Sequence, residues 1–260
     1  MSVVIPSFDE MANLQKGILD KVEHFLSKKK YSYEVIISDD GSRDGSTEFV
    51  KRFVKENPRF KLIENSHLGK AGAVTKGMLS AKGRLKLFMD MDQATPIEEI
   101  DKLLPYFDPP AHSGLSPSGS KTGGYDIVIG SRNSKRKGAP WTRIFMARGM
   151  IALRKFIVGI RDISDTQCGF KVFRKEVSDS LFTKINRFHK GFQKVTGSSV
   201  SAGFDVELLY MAENLGYKIK EVPVEWLYVE TRRVNPIKDS INGLLDLIKI
   251  KINDFKGAYR

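Results

Sequence analysis

The 260-residue chain contains one cysteine, Cys168, and a lone thiol supplies neither a disulfide framework nor a Cys-based zinc cage. Stapled mini-domains and zinc fingers are excluded, and a reducing compartment is the expectation. No run approaches the roughly 18 consecutive apolar residues that a membrane-crossing helix needs. Met1 leads straight into Ser2-Val3-Val4-Ile5-Pro6 without a basic and apolar leader, so the expectation is a soluble or peripheral protein. The 22 glycines and 10 prolines follow no period, which removes collagen-like and low-complexity classes.

Hydrophobic residues make up 41% of the sequence, enough to bury one sizeable core over this length. The balance of 43 Lys+Arg against 31 Asp+Glu leaves a net charge of +12. That excess favours an anionic partner: nucleic acid, an anionic membrane surface or a phosphorylated substrate. There is no helix-turn-helix spacing, Cys/His finger or aromatic RNA-binding consensus, so nucleic acid is not an expected partner.

Over the first 130 residues, short β-branched runs alternate with longer amphipathic stretches, the pattern of βαβ units around a mostly parallel sheet. Strands are predicted at Val3 to Pro6, Glu34 to Ser38, Phe60 to Glu64, Leu85 to Met89 and Asp126 to Ile129. Helices are predicted at Met11 to Lys29, Ser46 to Lys55, Lys70 to Ala81 and Ile97 to Phe107. The Pro-, Gly- and Ser-rich stretch Asp108 to Gly124 reads as a surface loop. Beyond Ile129 the expectations are a helix near Arg143 to Val158, a turn-rich segment from Asp165 to Phe173 and a second polar loop from Asn186 to Gly203. A helix from Phe204 to Leu215 and a strand at Lys218 to Trp226 follow. In the last segment Ile237, Ile241, Leu244, Leu245, Ile248, Ile252 and Phe255 form one stripe of a long helix. The domain reading is a catalytic domain over 1–235 and a C-terminal amphipathic helix over 236–260.

In a parallel α/β sheet, ligands gather beyond the carboxyl ends of the strands, and three acidic clusters fall there. They are Ser7-Phe8-Asp9-Glu10, Asp39-Asp40-Gly41-Ser42 and Asp90-Met91-Asp92. Carboxylates gathered on one edge repel unless a cation or hydrogen-bond donors compensate. Asp90 and Asp92, with no His or Cys nearby, suit a hard cation such as Mg2+ or Mn2+ that also takes phosphate oxygens; the alternative is a solvated strand end. Asp39-Asp40-Gly41-Ser42 is either a ligand-binding cluster or an ordinary turn before a helix cap. Leu68-Gly69-Lys70-Ala71-Gly72 is either a helix start or a close approach to a ligand, and it lacks the spacing of a P-loop.

The strings VVIPSFDE, SDDGSRDGST, HLGKAGAV, MDMDQATP, IGSR, DTQCGFKVF and GFDVELLY occur in this order. Together they resemble the family 2 glycosyltransferases with the GT-A fold, and within them the dolichyl-phosphate β-glucosyltransferases and prokaryotic polyprenyl-phosphate relatives. The resemblance runs from Val3 to Arg260. It implies an α/β GT-A fold, a mostly parallel central sheet flanked by helices, and transfer of a hexose with inversion. The donor it implies is a UDP-sugar, UDP-glucose in this group, and the acceptor a polyprenyl phosphate.

Carried over by position, Pro6 and Glu10 border the base and ribose, and Asp39 and Asp40 take the uracil and ribose position. Gly69 and Lys70 pass beside the nucleotide, Asp90 and Asp92 hold Mg2+ or Mn2+, and Gln167 lines the donor sugar. Arg132 and Arg148 address the acceptor phosphate, and Glu207 is the acidic residue on the acceptor side. For the arginines the alternative is a solvated basic face or an internal ion pair; for Asp205 and Glu207 it is a helix cap. Relatives commonly carry ADADGAT around the metal motif, whereas Met91 and Gln93 stand here. A phosphate acceptor is already ionised, so no general base is obligatory, whereas a saccharide hydroxyl would need one such as Asp205 or Glu207.

Eukaryotic relatives begin with a membrane-spanning helix, so attachment here is expected through the terminal stripe, with Lys238, Lys249, Lys251 and Lys256 around it. Asp239, Asp246 and Asp254 stand against that reading, and the alternative is packing on the domain or on a second copy. The expected location is cytoplasmic, peripheral on the cytoplasmic face of a membrane.

Overall fold

The computed structural model describes residues 1–108, 124–132, 153, 156–160, 163–193, 202–227, 236–257 and 259, with backbone only at 202 and 236–242. Strands β1 (Ser2–Ser7), β2 (Glu34–Asp39), β3 (Phe60–Glu64) and β4 (Leu85–Met89) alternate with helices α1 (Met11–Leu14), α2 (Ile18–Ser27), α3 (Ser46–Glu56) and α4 (Gly69–Ser80). Helix α5 (Ile100–Leu103) lies between two single 3-10 turns, and β5 (Ile127–Ser131), β6 (Phe170–Arg174) and α6 (Lys175–Phe188) follow. Helix α7 (Ala202–Asn214), β7 (Ile219–Pro223) and α8 (Pro236–Phe255) complete the described chain.

The seven strands form one sheet in the order β3-β2-β1-β4-β6-β5-β7. All neighbouring pairs are parallel except the two that involve β6, which runs against β4 and β5. Successive side chains on each strand point to opposite faces. Val4, Ile36, Phe88, Ile129 and Phe173 pack with α4, α6, α7 and α8 on one face. Val3, Ile5, Val35, Ile37, Leu87 and Val172 pack with α1, α2, α3 and α5 on the other. The result is a three-layer α/β sandwich, as expected from the alternation of elements.

Four expectations need correction. The stretch Met11 to Lys29 is two helices, because Gly17 adopts a left-handed φ of 72° between them. The turn-rich reading of Asp165 to Phe173 misses β6, and the polar-loop reading from Asn186 misses the end of α6. Ile97 to Phe107 is a succession of short 3-10 and α turns around α5. Most of the expected Arg143 to Val158 helix and the interiors of both polar loops lie outside the described residues.

The strand order reverses direction between β1 and β4, which is the switch point where open α/β sheets bind ligands. Pairing of β1 with β2 extends to Ser7, whereas pairing with β4 stops at Val4 and Phe88. Pro6 follows that stop. A residue without an N–H is tolerated there because no β4 acceptor awaits it.

Helix α4 crosses the sheet closely. A Cβ added at Gly77 would lie 2.4 Å from Val4 Cγ1. Gly77→Ala should therefore lower unfolding free energy by about 1–3 kcal/mol through overpacking, read as a shift in the urea midpoint. An unchanged midpoint would show that α4 has room to move outward.

Candidate active site at the carboxyl edge of the sheet

The carboxyl ends of β1, β2, β4 and β5 meet the amino end of β6 on one edge. Register pairs Met89 with Phe170 and Ile129 with Lys171, so Asp90, Gly169 and the residues after Ser131 converge. Three non-glycine residues take left-handed φ angles at this edge or beside it: Asp9 at 53°, His67 at 61° and Gln93 at 47°. Such conformations cost of order 1 kcal/mol each and collect at functional sites. The Gln93 Nε2 donates to the Ile18 carbonyl at 3.2 Å. That bond offsets part of the strain.

The second acidic cluster turns inward. Asp39 and Asp40 are both 2% exposed. Asp39 accepts from the amides of Gly41 and Ser42 and from the hydroxyls of Ser42 and Thr47. Asp40 accepts from the amides of Leu68 at 2.6 Å and Gly69 at 2.8 Å, the first donors of α4, and meets His67 Nδ1 at 3.0 Å. A carboxylate there satisfies orphan amides and the positive end of the helix. The His67 ring in turn stacks on Phe8 at 4.5 Å between centroids. Glu10 accepts from Asn13 Nδ2 at 2.6 Å, and its amide donates to Ser46 Oγ. These residues therefore tie the β1, β2 and β3 loops into one rim, with Pro6 beneath it.

The third cluster is open. Asp90 is half-exposed, and its Oδ1 lies 2.6 Å from Lys70 Nζ. Asp92 accepts from the Ala94 amide at 3.0 Å. Its carboxyl is pushed above the ordinary value by burial first and by the Asp90 charge, against the pull of the Ala94 amide, Lys70 and Lys16. Burial works against the Lys70 charge, but Asp90, Asp205 and Asp92 outweigh it and raise that ammonium's pKa.

Two nearby carboxylates with all-oxygen chemistry suit a hard cation completed by water and phosphate oxygens. A Cβ at Gly169 would fall 2.0 Å from Asp90 Oδ2, so the backbone is kept bare to let this carboxylate sit in the crevice. Residues and space fit a divalent ion at Asp90 and Asp92. Among the described residues no group of three or more His, Cys, Asp or Glu converges as a self-sufficient cage. Gly169→Ala should cost at least as much activity as loss of Asp90 itself. Wild-type turnover in that variant would show that Asp90 has freedom to shift.

Opposite Asp90, the crevice is lined by Arg132, Gln167, Cys168, Thr95 and Trp226. Arg132 is gripped by Asp165: Nε and Nη2 each donate at 2.7 Å, and the Arg132 amide donates at 2.9 Å. Burial disfavours both charges, yet each stabilises the other, so the Arg132 pKa is raised and that of Asp165 lowered. Glu221 on β7 in turn accepts from the amides of Ser164 and Asp165, both at 2.8 Å. Cys168 is buried, and desolvation followed by the Asp165 charge pushes its thiol up to about 11. It is a packing residue and no nucleophile.

On α7, Asp205 turns toward Lys171 and Glu207 turns away from it. Two residues along a helix is a turn of about 200°, which places them on opposite sides. Asp205 pairs with the buried Lys171 at 2.5 Å, and its charge reaches both Lys70 and Arg132. Glu207 accepts from Tyr259 OH at 2.6 Å and meets His189 Nε2 at 2.7 Å, which ties α7 to the end of α6 and to the chain beyond α8. The acceptor side is where the sequence places Glu207; in the structure its carboxylate is held by Tyr259 and His189. Arg148 lies outside the described residues. The sequence reading missed Asp165, Glu221 and Lys171; Asp165 opens the DTQCGFKVF string and was within reach, whereas Glu221 sits in an unremarkable strand.

The model for Glycosyl transferase family 2 matches residues 2–182. A dolichyl-phosphate beta-glucosyltransferase of Drosophila melanogaster is 35% identical, over 100% of this chain and 77% of its own length. The Saccharomyces cerevisiae dolichyl-phosphate beta-glucosyltransferase is 31% identical, over 100% and 76% respectively. Among solved structures, glucosyl-3-phosphoglycerate synthase of Mycobacterium tuberculosis, in complex with Mn2+, UDP and glucosyl-3-phosphoglycerate, superposes with a TM-score of 0.58 at 18% identity. It covers 97% of this chain and 78% of that one. The shared architecture is the GT-A fold.

Proposed function

The chain belongs to glycosyl transferase family 2, and from that premise we propose that it moves glucose from UDP-glucose onto a dolichyl-type polyprenyl phosphate, with inversion at the anomeric carbon. The observation that carries the choice of acceptor is the state of the acids around the crevice. Asp165 is held by Arg132 and Asp205 by Lys171, while Glu207 is turned away to His189 and Tyr259. No carboxylate among these three stands ready to take a proton from a sugar hydroxyl, whereas an ionised phosphate needs no base. The names of the relatives at 35% and 31% identity support the same acceptor.

The chemistry then reduces to placing two anions face to face. Arg132, fixed by Asp165, offers its remaining guanidinium hydrogens to the incoming phosphate and offsets its repulsion with the donor. Lys70, at the start of α4, is positioned beside the donor diphosphate. Asp90 and Asp92 would hold Mg2+ or Mn2+, which, when bound, neutralises charge developing on the departing diphosphate. Gln167 and Trp226 border the space for the sugar and shield it from water. A panel of nucleotide sugars with a short polyprenyl phosphate, read by product mass, tests the reading. Glucosyl phosphoprenol from UDP-glucose is the expected product, and transfer only to saccharide hydroxyls would overturn it.

The lipid acceptor gives α8 a role. Leu247 and Ile250 are buried against α7, while Leu245, Ile248, Ile252 and Phe255 are 41–79% exposed. With Lys249 and Lys256 these four share an arc of about 120° at 3.6 residues per turn. Asp254 is turned to Tyr210 at 2.6 Å and Asp246 faces Gly203, so the two described acids that opposed a membrane reading lie off that face. We assign it to the headgroup region of an anionic bilayer on the cytoplasmic side, where each lysine contributes roughly 1 kcal/mol. Among the described residues no helix is long and apolar enough to cross a membrane. Ile252→Glu with Phe255→Glu should reduce co-sedimentation with phosphatidylserine vesicles about tenfold or more while leaving UDP binding intact. Unchanged sedimentation would reassign the face to protein packing.

A further inference from the structure

The contact between Lys70 Nζ and Asp90 Oδ1 at 2.6 Å places a protein cation on one of the two carboxylates read as cation ligands. We infer that Lys70 is an internal counter-ion that competes with the divalent cation for Asp90, so that the ion binds weakly until a diphosphate draws the ammonium away. This rests on the reading of Asp90 and Asp92 as the cation site.

Three features support the exchange. Lys70 and Asp90 are 33% and 36% exposed at their side chains, so the pair can part without breaking the core. The root of Lys70 is fixed, since Asp40 holds the amides of Leu68 and Gly69 immediately before it. Motion is thereby confined to the flexible four-carbon stem of the lysine.

The charges complete the argument. Asp205 is neutralised by Lys171, and Lys70 is the ammonium in contact with Asp90, with Lys16 adding positive charge toward Asp92. A divalent ion added to this group meets a like charge within a few ångströms, and it must displace a charge-assisted hydrogen bond. A nucleoside diphosphate reverses both terms. It offers the ammonium an anionic partner of its own and supplies oxygens to the ion. Loading should therefore be cooperative, with nucleotide and cation each tightening the other by the same factor.

The test is a titration with Mn2+ alone, followed by the electron-spin resonance signal of free aqueous Mn2+, on wild type, Lys70→Met, Lys70→Arg and Asp92→Asn, each without and with saturating UDP. Without UDP, Lys70→Met should bind Mn2+ about tenfold more tightly than wild type, and Lys70→Arg should stay weak. UDP should tighten Mn2+ binding in wild type and have a much smaller effect in Lys70→Met. Equal Mn2+ affinity in wild type and Lys70→Met without UDP overturns the inference, as does equal enhancement by UDP or no Mn2+ binding by either protein. Asp92→Asn separates the two levels. If that variant binds Mn2+ like wild type in the presence of UDP, the cation site itself is misassigned; if it loses Mn2+ while Lys70→Met matches wild type, only the counter-ion role fails. Unchanged melting temperatures of the variants exclude a folding defect.

Discussion

Asp92→Asn should reduce glycosyl transfer by about 10²- to 10³-fold, the scale of losing one preorganised group that answers charge in the transition state. The amide variant is the sharper one because its remaining carbonyl oxygen can still accept the Ala94 N–H that Asp92 Oδ1 receives at 3.0 Å. The turn after β4 is thus kept while the charge is removed. Stability should hold or rise slightly, since burial and the neighbouring Asp90 both disfavour the Asp92 carboxylate. Full transfer by Asp92→Asn, above all in chelator-treated buffer, would defeat the assignment of the cation to this pair. Loss of transfer with a fall in melting temperature would mean that the turn has collapsed, which Asp92→Ala would then share.

Arg132 is the second position with a large expected effect. Removing its guanidinium leaves Asp165, 5% exposed, without the partner that holds its charge, and breaking a partly buried pair costs roughly 3 kcal/mol or more. Arg132→Ala is therefore ambiguous, and Arg132→Lys is the informative change. It preserves the charge but loses the paired geometry of two donors at 2.7 Å. Turnover on a polyprenyl phosphate should fall about 100-fold with UDP affinity nearly unchanged. Glu221→Gln should move kinetics in the same direction by a smaller factor, because one of its two oxygens becomes a donor facing an amide. Equal losses of nucleotide affinity and turnover in Arg132→Lys would place this arginine on the donor side and overturn its acceptor role.

The N-terminal half of the molecule was largely legible in the sequence. Strands β1, β2 and β4 are parallel and largely buried on both faces, so they read as short, mostly apolar runs, and an acidic cluster sits directly after each of them. The remainder was hidden for identifiable reasons. Strand β6 contains Lys171, which is buried and satisfied by Asp205, a partner far away in sequence. A charged residue inside a five-residue strand breaks the apolar pattern on which strand detection depends. Helix α6 begins at Lys175 after an Arg174 that provides no side-chain cap, so its start carries no sequence marker. The grip of Asp165 on Arg132 spans 33 residues and follows only from β6 running antiparallel. The sequence placed Glu207 among the functional residues by position in a motif, and helical periodicity alone would have flagged that Asp205 and Glu207 cannot face the same way.

The early end of the β1–β4 ladder has a mechanical consequence. Three residue pairs join these strands, against six between β1 and β2 and five between β4 and β6. The sheet thus has a short seam along its middle, with stiffer ribbons on either side. Shear between the ribbons concentrates there, and it widens or narrows the gap into which Asp90 projects. Amide hydrogen exchange should be faster at Val4, where the ladder to β4 ends, than along the β1–β2 ladder, and a bridging ligand should slow it by stitching the seam closed.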